Sequence, residues 1–252
     1  MSLFNRYKSI TAVALTAAVM AVACSKDADT ATAATNSNLS DQAVLKVYNA
    51  ALNTSRNFVY IDNNPLSYTL LAYGASFPSL YGVTVPSGSR TVLVKDTLPT
   101  STQTQITFTN NFEAGKHYTL FTYDTVNAVK YKMVTDAIEI PADTTARLRF
   151  ANLIFSGSAA AAPNVDIFSV RRNANIFSNI APGAVTDFIP HPSAPAIDTF
   201  YVRIAGTSTT LLQANSYSPT KKRSYTLIFR GRLAEATTTA TLFRTLTSMV
   251  TY

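Results

Sequence analysis

The chain predicts an all-β fold of two tandem immunoglobulin-like β-sandwich domains, and three observations carry that expectation. Thr, Ser, Val, Tyr and Phe abound while only 14% of residues are charged, and β-branched and aromatic side chains suit a pleated, half-buried surface better than a helix. From residue 41 onward, short apolar-alternating runs are separated by Gly, Pro, Asn and Ser, the punctuation of strands and turns. Four of these segments recur in the same order roughly a hundred residues later, which points to one unit used twice.

The first element is not part of that fold. In MSLFNRYKSITAVALTAAVMAVAC, Arg6 and Lys8 precede an uncharged, mostly apolar run from Ile10 to Val22, and small residues lead into Cys24. The run is shorter than the roughly 20 apolar residues of a membrane span and fits a secretory signal over residues 1–23. AVAC (21–24) resembles the lipobox of bacterial lipoproteins, with Ala21 where that motif most often has Leu. The resemblance implies that Cys24 is lipidated and becomes the new N-terminus. Ordinary cleavage after Ala23 is the alternative, with Cys24 incidental. Against it, Cys24 is the only cysteine, and a lone thiol in an exported chain calls for a purpose that a lipid supplies. No thiol is then left for a disulfide, so the domains must rest on their cores.

Residues 24–40 follow as a small, polar, low-complexity stretch, expected to be a flexible tether because it has little apolar surface to bury. Its SKDAD (25–29) resembles signals that send some Gram-negative lipoproteins to the outer face. The expected location is therefore the cell envelope, as an outer-membrane lipoprotein, with the membrane as a partner through the N-terminal lipid.

The repeat begins at residue 41. AVLKVYN (43–49) lies over ARLRFAN (146–152), so Leu45 and Val47 match Leu148 and Phe150, and Lys46 matches Arg149 on the opposite face. That alternation predicts half-buried strands with Lys46 and Arg149 towards solvent. FVYID (58–62) and NVDIF (164–168) pair Val59 and Ile61 with Val165 and Ile167, and DNNP (62–65) supplies a turn. VTVPSGSRTVLV (83–94) matches FIPHPSAPAIDTFYVRI (188–204), with SGS (87–89) reading as a hairpin turn. Finally GKHYTLFTYD (115–124) matches KKRSYTLIFRG (221–231), each with a Tyr-Thr-Leu step. Tyr118 and Tyr225 suit a tyrosine corner, in which the hydroxyl closes a backbone turn. Domain 1 is expected over 41–141 and domain 2 over 145–252, with EIPADT (139–144) as the boundary. One closed barrel of the whole chain is the competing all-β architecture.

These segments also resemble a known family. LSYTLLAYGASFPSLYGVTVPSGSRTVLV (66–94) with GKHYTLF (115–121), and ARLRFANL (146–153) with PNVDIF (163–168) and SYTLIF (224–229), are similar to DUF4397 domains. The resemblance implies an exported bacterial β domain, often carried on a lipoprotein, and implies no catalytic residues. It is weaker in the second copy, where PHPSAP (190–195) replaces the Pro-Ser-Gly of 86–88.

Chemistry is scarce in the sequence. Without Arg6 and Lys8, 19 basic residues face 14 acidic ones, an excess suited to anionic surfaces but not a nucleic-acid signature. His117 and His191 have no neighbouring ligand at metal-motif spacing. His117 is expected to face solvent at a strand start, and His191, between Pro190 and Pro192, to lie in an exposed loop, with Asp187 and Asp198 as its only plausible co-ligands. No nucleophile elbow or phosphate-binding glycine loop appears. Asp62, Glu113, Asp124 and Asp166 show no spacing that favours glycoside hydrolysis. The expectation is a non-enzyme with no cofactor, no metal site and no catalytic residue.

Two candidate binding surfaces remain. Tyr73, Phe77 and Tyr81 cluster in AYGASFPSLYG (72–82), where aromatic rings either fill the sandwich edge or stack on a partner. Lys221, Lys222 and Arg223 form a basic group that is either a solvated turn or an anionic contact. The function expected is a structural or adhesive, protein-binding role, with glycan binding for a polysaccharide-handling system as the alternative.

Overall fold

The computed structural model describes residues 40–157, 160–236 and 242–252. The expected signal segment, Cys24 and all of the expected tether but Ser40 lie outside the described residues. The described residues belong to one compact unit, and no helix occurs among them.

The first half contains β1 (Gln42–Asn49), β2 (Asn57–Ile61), β3 (Asn64–Pro65), β4 (Ser76–Phe77), β5 (Val83–Pro86), β6 (Gly88–Asp96), β7 (Ile106–Phe112), β8 (His117–Tyr123) and β9 (Lys130–Asp136). The second half contains β10 (Ala146–Phe155), β11 (Val165–Ser169), β12 (Ala174–Ile180), β13 (Ile189–His191), β14 (Asp198–Ile204), β15 (Thr210–Tyr217), β16 (Ser224–Arg232) and β17 (Thr245–Val250). Residues 137–145, where the boundary is expected, carry no strand.

The pairings of the first half recur in the second. One sheet runs β4-β1-β8-β9, with β5 also on β1, and its counterpart runs β13-β10-β16-β17. The other two sheets run β3-β2-β6-β7 and β12-β11-β14-β15. β1 and β8 are parallel with Leu45 opposite Tyr118; β10 and β16 are parallel with Leu148 opposite Tyr225. Positions matched by overlaying the two copies thus hold equivalent places in the two pairings.

Alternation explains the packing. Leu45, Val47, Val59, Ile61, Val92, Val94 and Leu120 close one core between the two sheets of the first half. Leu148, Phe150, Val165, Ile167, Phe200, Val202, Leu227 and Phe229 close the equivalent core of the second. A third cluster joins Tyr48 and Phe121 to Ala151, Leu153, Ile228 and Met249. It forms because the β1 and β10 sheets turn their remaining faces towards each other, and burying a Phe or Leu there contributes about 1.5–3 kcal/mol. The four sheets therefore stack outer, inner, inner, outer.

That third layer corrects one expectation. Lys46 and Arg149 do not face solvent; each is only 2% exposed, because the face that alternation assigned to water meets the Ser79–Leu80 loop at Lys46 and the first half's Asp136 and Thr119 at Arg149. A second correction concerns residues 87–89. β5 pairs with β1 while β6 pairs with β2, so Ser87–Gly88 is a corner where the chain changes sheet and not a hairpin. Gly88 takes φ +92° there, with open space around its Cβ position, a conformation that L residues resist.

Both tyrosines do what the sequence predicts. The Glu113 N–H donates to the Tyr118 hydroxyl at 2.9 Å, and the Thr220 N–H donates to the Tyr225 hydroxyl at 3.1 Å. Each hydroxyl thus closes the turn five residues upstream on its own chain, at the entrance to β8 and β16.

Candidate functional site

The aromatic loop and the basic group, expected as separate surfaces, meet. Arg223 donates from Nη1 to the Tyr81 hydroxyl at 2.7 Å, with its guanidinium 5.4 Å from that ring's centre. Arg230, further along β16, lies 4.6 Å from the centre of the Tyr73 ring. Burial raises the pKa of the Tyr73 hydroxyl, opposed by the Arg230 charge. Phe77 pairs across from Val47 and packs on the first core. Of the three rings only Tyr81 is largely open, at 49% exposure. Lys221 and Lys222 are exposed, and Arg223 is half-buried. The loop's aromatics therefore serve mainly as contacts within the molecule, and the free charge is left on Lys221 and Lys222.

This contact has a mirror image. Gly74 (φ +81°) sits under Arg230, so that a Cβ there would lie 2.8 Å from the guanidinium. Gly183 (φ +80°) sits under Tyr123, with a Cβ position 2.9 Å from the hydroxyl. Tyr123 and Arg230 occupy the same position in the two Tyr-Thr-Leu segments. Each half thus lays a β8- or β16-end side chain over the glycine turn of the other.

The inner interface also holds a network of buried polar groups. Arg149 donates to Asp136 at 2.5 Å, to Thr226 at 2.8 Å and to Thr119 at 3.1 Å, while Thr119 donates to Asp136 at 2.6 Å. Its guanidinium also lies 4.6 Å from the Phe188 ring centre. Burial lowers the Arg149 pKa, and the Asp136 carboxylate opposes that shift. Lys46 makes do with the backbone carbonyls of Leu80 and Ser79, and burial pushes its pKa down to about 8. Arg149 bonds the halves together, whereas Lys46 bonds within the first half, and Asp136 also borders a cavity of about 440 Å³ with His117, Ile138 and Tyr252.

The histidines behave differently from the sequence expectation. His191 is not in an exposed loop: it lies on β13 at 1% exposure, with Nε2 3.6 Å from Asp198. Burial among Phe200 and Tyr217 pushes its pKa down to about 4, so it is neutral near pH 7. Pro-flanked residues pair with β10 here because His191 replaces an apolar strand residue: it stands opposite Ala146 as Val85 stands opposite Ala43. His117 is half-buried against Tyr252 at 5.9 Å, and burial lowers its pKa.

The four acids weighed in the sequence are engaged separately. Asp62 pairs with Arg90 at 3.2 Å and Asp124 with Lys130 at 2.7 Å. Asp166 accepts from Asn175, Asn179 and Gly206, and Glu113 is exposed. Among the described residues, no three His, Cys, Asp or Glu side chains are grouped so as to hold a metal ion.

One groove was not anticipated. Phe58 and Tyr60 alternate with buried Val59 and Ile61, so they stand on the open face of the outer sheet. With Lys95, Ser101, Gln103 and Gln105 they line a cavity of about 630 Å³. Lys95 approaches the Tyr60 ring centre to 5.1 Å. Two buried asparagines were also missed, although both end the segments quoted in the repeat. Asn49 donates to Thr54 and Leu71 and accepts from Thr122; Asn152 donates to the Ile180 carbonyl. The signal was present, since an asparagine ends both of the matched segments AVLKVYN and ARLRFAN.

A family model described as Domain of unknown function (DUF4397) matches residues 43–167. The match covers the whole first half and ends within β11, so it stops short of the rest of the second half. No curated protein matches the chain.

Proposed function

We propose, on the premise that this chain carries a DUF4397 domain, that it is a lipid-anchored protein of the cell envelope with a structural or adhesive role. On this reading the described residues are two immunoglobulin-like sandwiches in tandem, exported by the 1–23 signal and held at the outer membrane by a lipid on Cys24. They work by display: a packed four-sheet stack holds loops away from the membrane for a protein partner. The observation that carries the reading is the use made of the buried charges. Arg149 and Asp136, the shortest ion pair among the described residues and a buried one, join the halves into one body, which suits a spacer more than a site that binds and releases substrate. Mass spectrometry of the mature N-terminus tests the anchor. A lipid mass on Cys24 is expected, and a chain starting at an unmodified Cys24 or at Ser25 would refute it.

Glycan binding is supported by a different place from the one the sequence suggested. Tyr73 and Phe77 are taken up by Arg230 and the core, whereas Phe58 and Tyr60 offer half-open rings beside Gln103 and Gln105 in the outer groove. Flat apolar rings flanked by amides suit a sugar face and its hydroxyls. A glycan array with wild type and with Phe58→Ala/Tyr60→Ala separates the readings: signal lost in the double variant supports glycan binding, and no signal in wild type dismisses it.

A further inference from the structure

The two copies have the same strands but different tips. β1 and β10 both begin at the end of the stack where β8 and β16 begin. At that end the second copy carries more basic residues than the first. Arg147 stands where the first copy has Val44. Lys221, Lys222 and Arg223 precede β16, where Ala114, Gly115 and Lys116 precede β8. The turn after β11 carries Arg171 and Arg172, where the turn after β2 carries Asp62 and Asn63.

Backbone contacts gather these side chains into one strip. The Lys222 N–H donates to the Thr145 carbonyl at 2.9 Å, and the Arg147 N–H to the Arg223 carbonyl at 2.8 Å. Arg172 reaches the Pro190 carbonyl at 2.5 Å. Lys221 shares a groove with Thr144, Pro192 and Ser193. Arg171, Arg172, Lys221 and Lys222 are exposed, and their side chains form no ion pair with a described carboxylate. Asp143 lies in this strip, its pKa lowered by bonds from Thr145, and the buried Asp198 carboxylate accepts from the Arg171 backbone N–H.

The strip lies at the end where the tether enters. The Ser87 N–H donates to the Asp41 carbonyl and the Gly115 N–H to the Gln42 carbonyl. His117, at the start of β8, packs on Tyr252, whose carbonyl accepts from the Ser224 N–H next to Arg223. Only residues 24–40 separate Cys24 from this end, and a chain of that length spans at most about 60 Å.

We propose that the basic tip of the second copy, formed by Arg147, Arg171, Arg172, Lys221, Lys222 and Arg223, docks on the anionic phospholipid headgroups of the membrane that holds the chain. Clustered Lys and Arg side chains near an anionic bilayer are attracted to it within a Debye length of about 10 Å at 0.1 M salt. The dock fixes which end of the stack faces the lipid and leaves the opposite loops outward. Its place beside the anchor rests on the lipidation of Cys24, whereas its affinity for headgroups does not.

The test uses the chain from residue 24 with Cys24→Ser, which carries no lipid, in cosedimentation with vesicles. Equimolar phosphatidylglycerol and phosphatidylcholine vesicles are expected to bring it down, pure phosphatidylcholine vesicles are not, and added salt is expected to release it. Arg171→Glu/Arg172→Glu/Lys221→Glu/Lys222→Glu is expected to lower binding at least about tenfold with unchanged thermal unfolding. Lys132→Glu, an exposed charge on β9, is expected to leave it intact. Equal binding to both vesicles, or a quadruple variant that binds like its parent, would overturn the dock. The lipid reading fails independently, by mass spectrometry alone.

Discussion

Lys46 and Arg149 hold the same position in the two copies and are equally buried, yet their charges are handled in opposite ways. Arg149 has a carboxylate, two threonine hydroxyls and an aromatic face. Lys46 has two backbone carbonyls and no ion pair of its own, Asp136 acting on it only through its charge. The second copy's charge is thus neutralised by Asp136 from the first, and the first copy's charge receives no such answer from the second. A duplicated scaffold repeats its backbone pairing faithfully because hydrogen-bond geometry demands it, while the side chains between the copies are free to diverge once each position has its own neighbours.

The largest effect should come from breaking the answered charge. Asp136→Ala leaves a buried guanidinium without its counter-ion and is expected to cost about 3–5 kcal/mol, read from the urea unfolding midpoint. Replacing both partners, as Arg149→Met/Asp136→Leu, is expected to be close to neutral because desolvation is removed along with attraction. A loss below about 1 kcal/mol for Asp136→Ala would mean that water reaches the pair and that the interface is looser than its packing indicates.

The unanswered charge should show itself through pH. The folded chain releases the Lys46 proton near pH 8, against an ordinary value of 10.5. Between those values the unfolded chain binds more protons, so folding stability rises with pH. The penalty of holding Lys46 charged is therefore fully present below about pH 8 and relieved as pH climbs towards the unfolded value. Lys46→Met removes the titration, so wild type should gain about 2–3 kcal/mol relative to this variant between pH 7 and 10.5. Parallel stability profiles for the two proteins would show that the Lys46 ammonium is solvated after all.

What the sequence revealed and what it hid divide along the same line. The strand-rich character, the correspondence of the two copies and the corner tyrosines were legible, because period-two alternation and turn residues are local signals; the sheet order and the parallel pairing of Leu45 with Tyr118 and Leu148 with Tyr225 were not, because they join segments far apart in the chain. The burial of Lys46 and Arg149 was not, because alternation says that a strand has two faces but not what covers the second. His191 was misplaced for a related reason: two flanking prolines read as a loop, while Pro190 occupies a short strand whose next residue, His191, lies opposite Ala146. The groove around Phe58 and Tyr60 depends on a loop at 97–105 folding beside them, which no local pattern announces. Asp136 could not be found as Arg149's partner, since they are paired across the expected domain boundary.

The smallest effect tests whether the two copies stand alone. Tyr118→Phe and Tyr225→Phe each remove one hydroxyl that accepts a backbone N–H, a loss of about 0.5–1.5 kcal/mol. Tyr118 should be the costlier, since it is 4% exposed and its ring packs edge-on against Phe112 at 5.1 Å, while Tyr225 is half-buried and the Thr220 N–H can turn to water. The two bonds lie in different halves and share no partner, so a double variant should lose the sum within about 0.5 kcal/mol. A double loss that exceeds the sum by more than that would mean that each corner is felt by the other through the Tyr48, Phe121, Ile228 and Met249 layer. The copies would then be one cooperative sandwich stack, with the Arg149–Asp136 pair as its joint and not as a weld between independent domains.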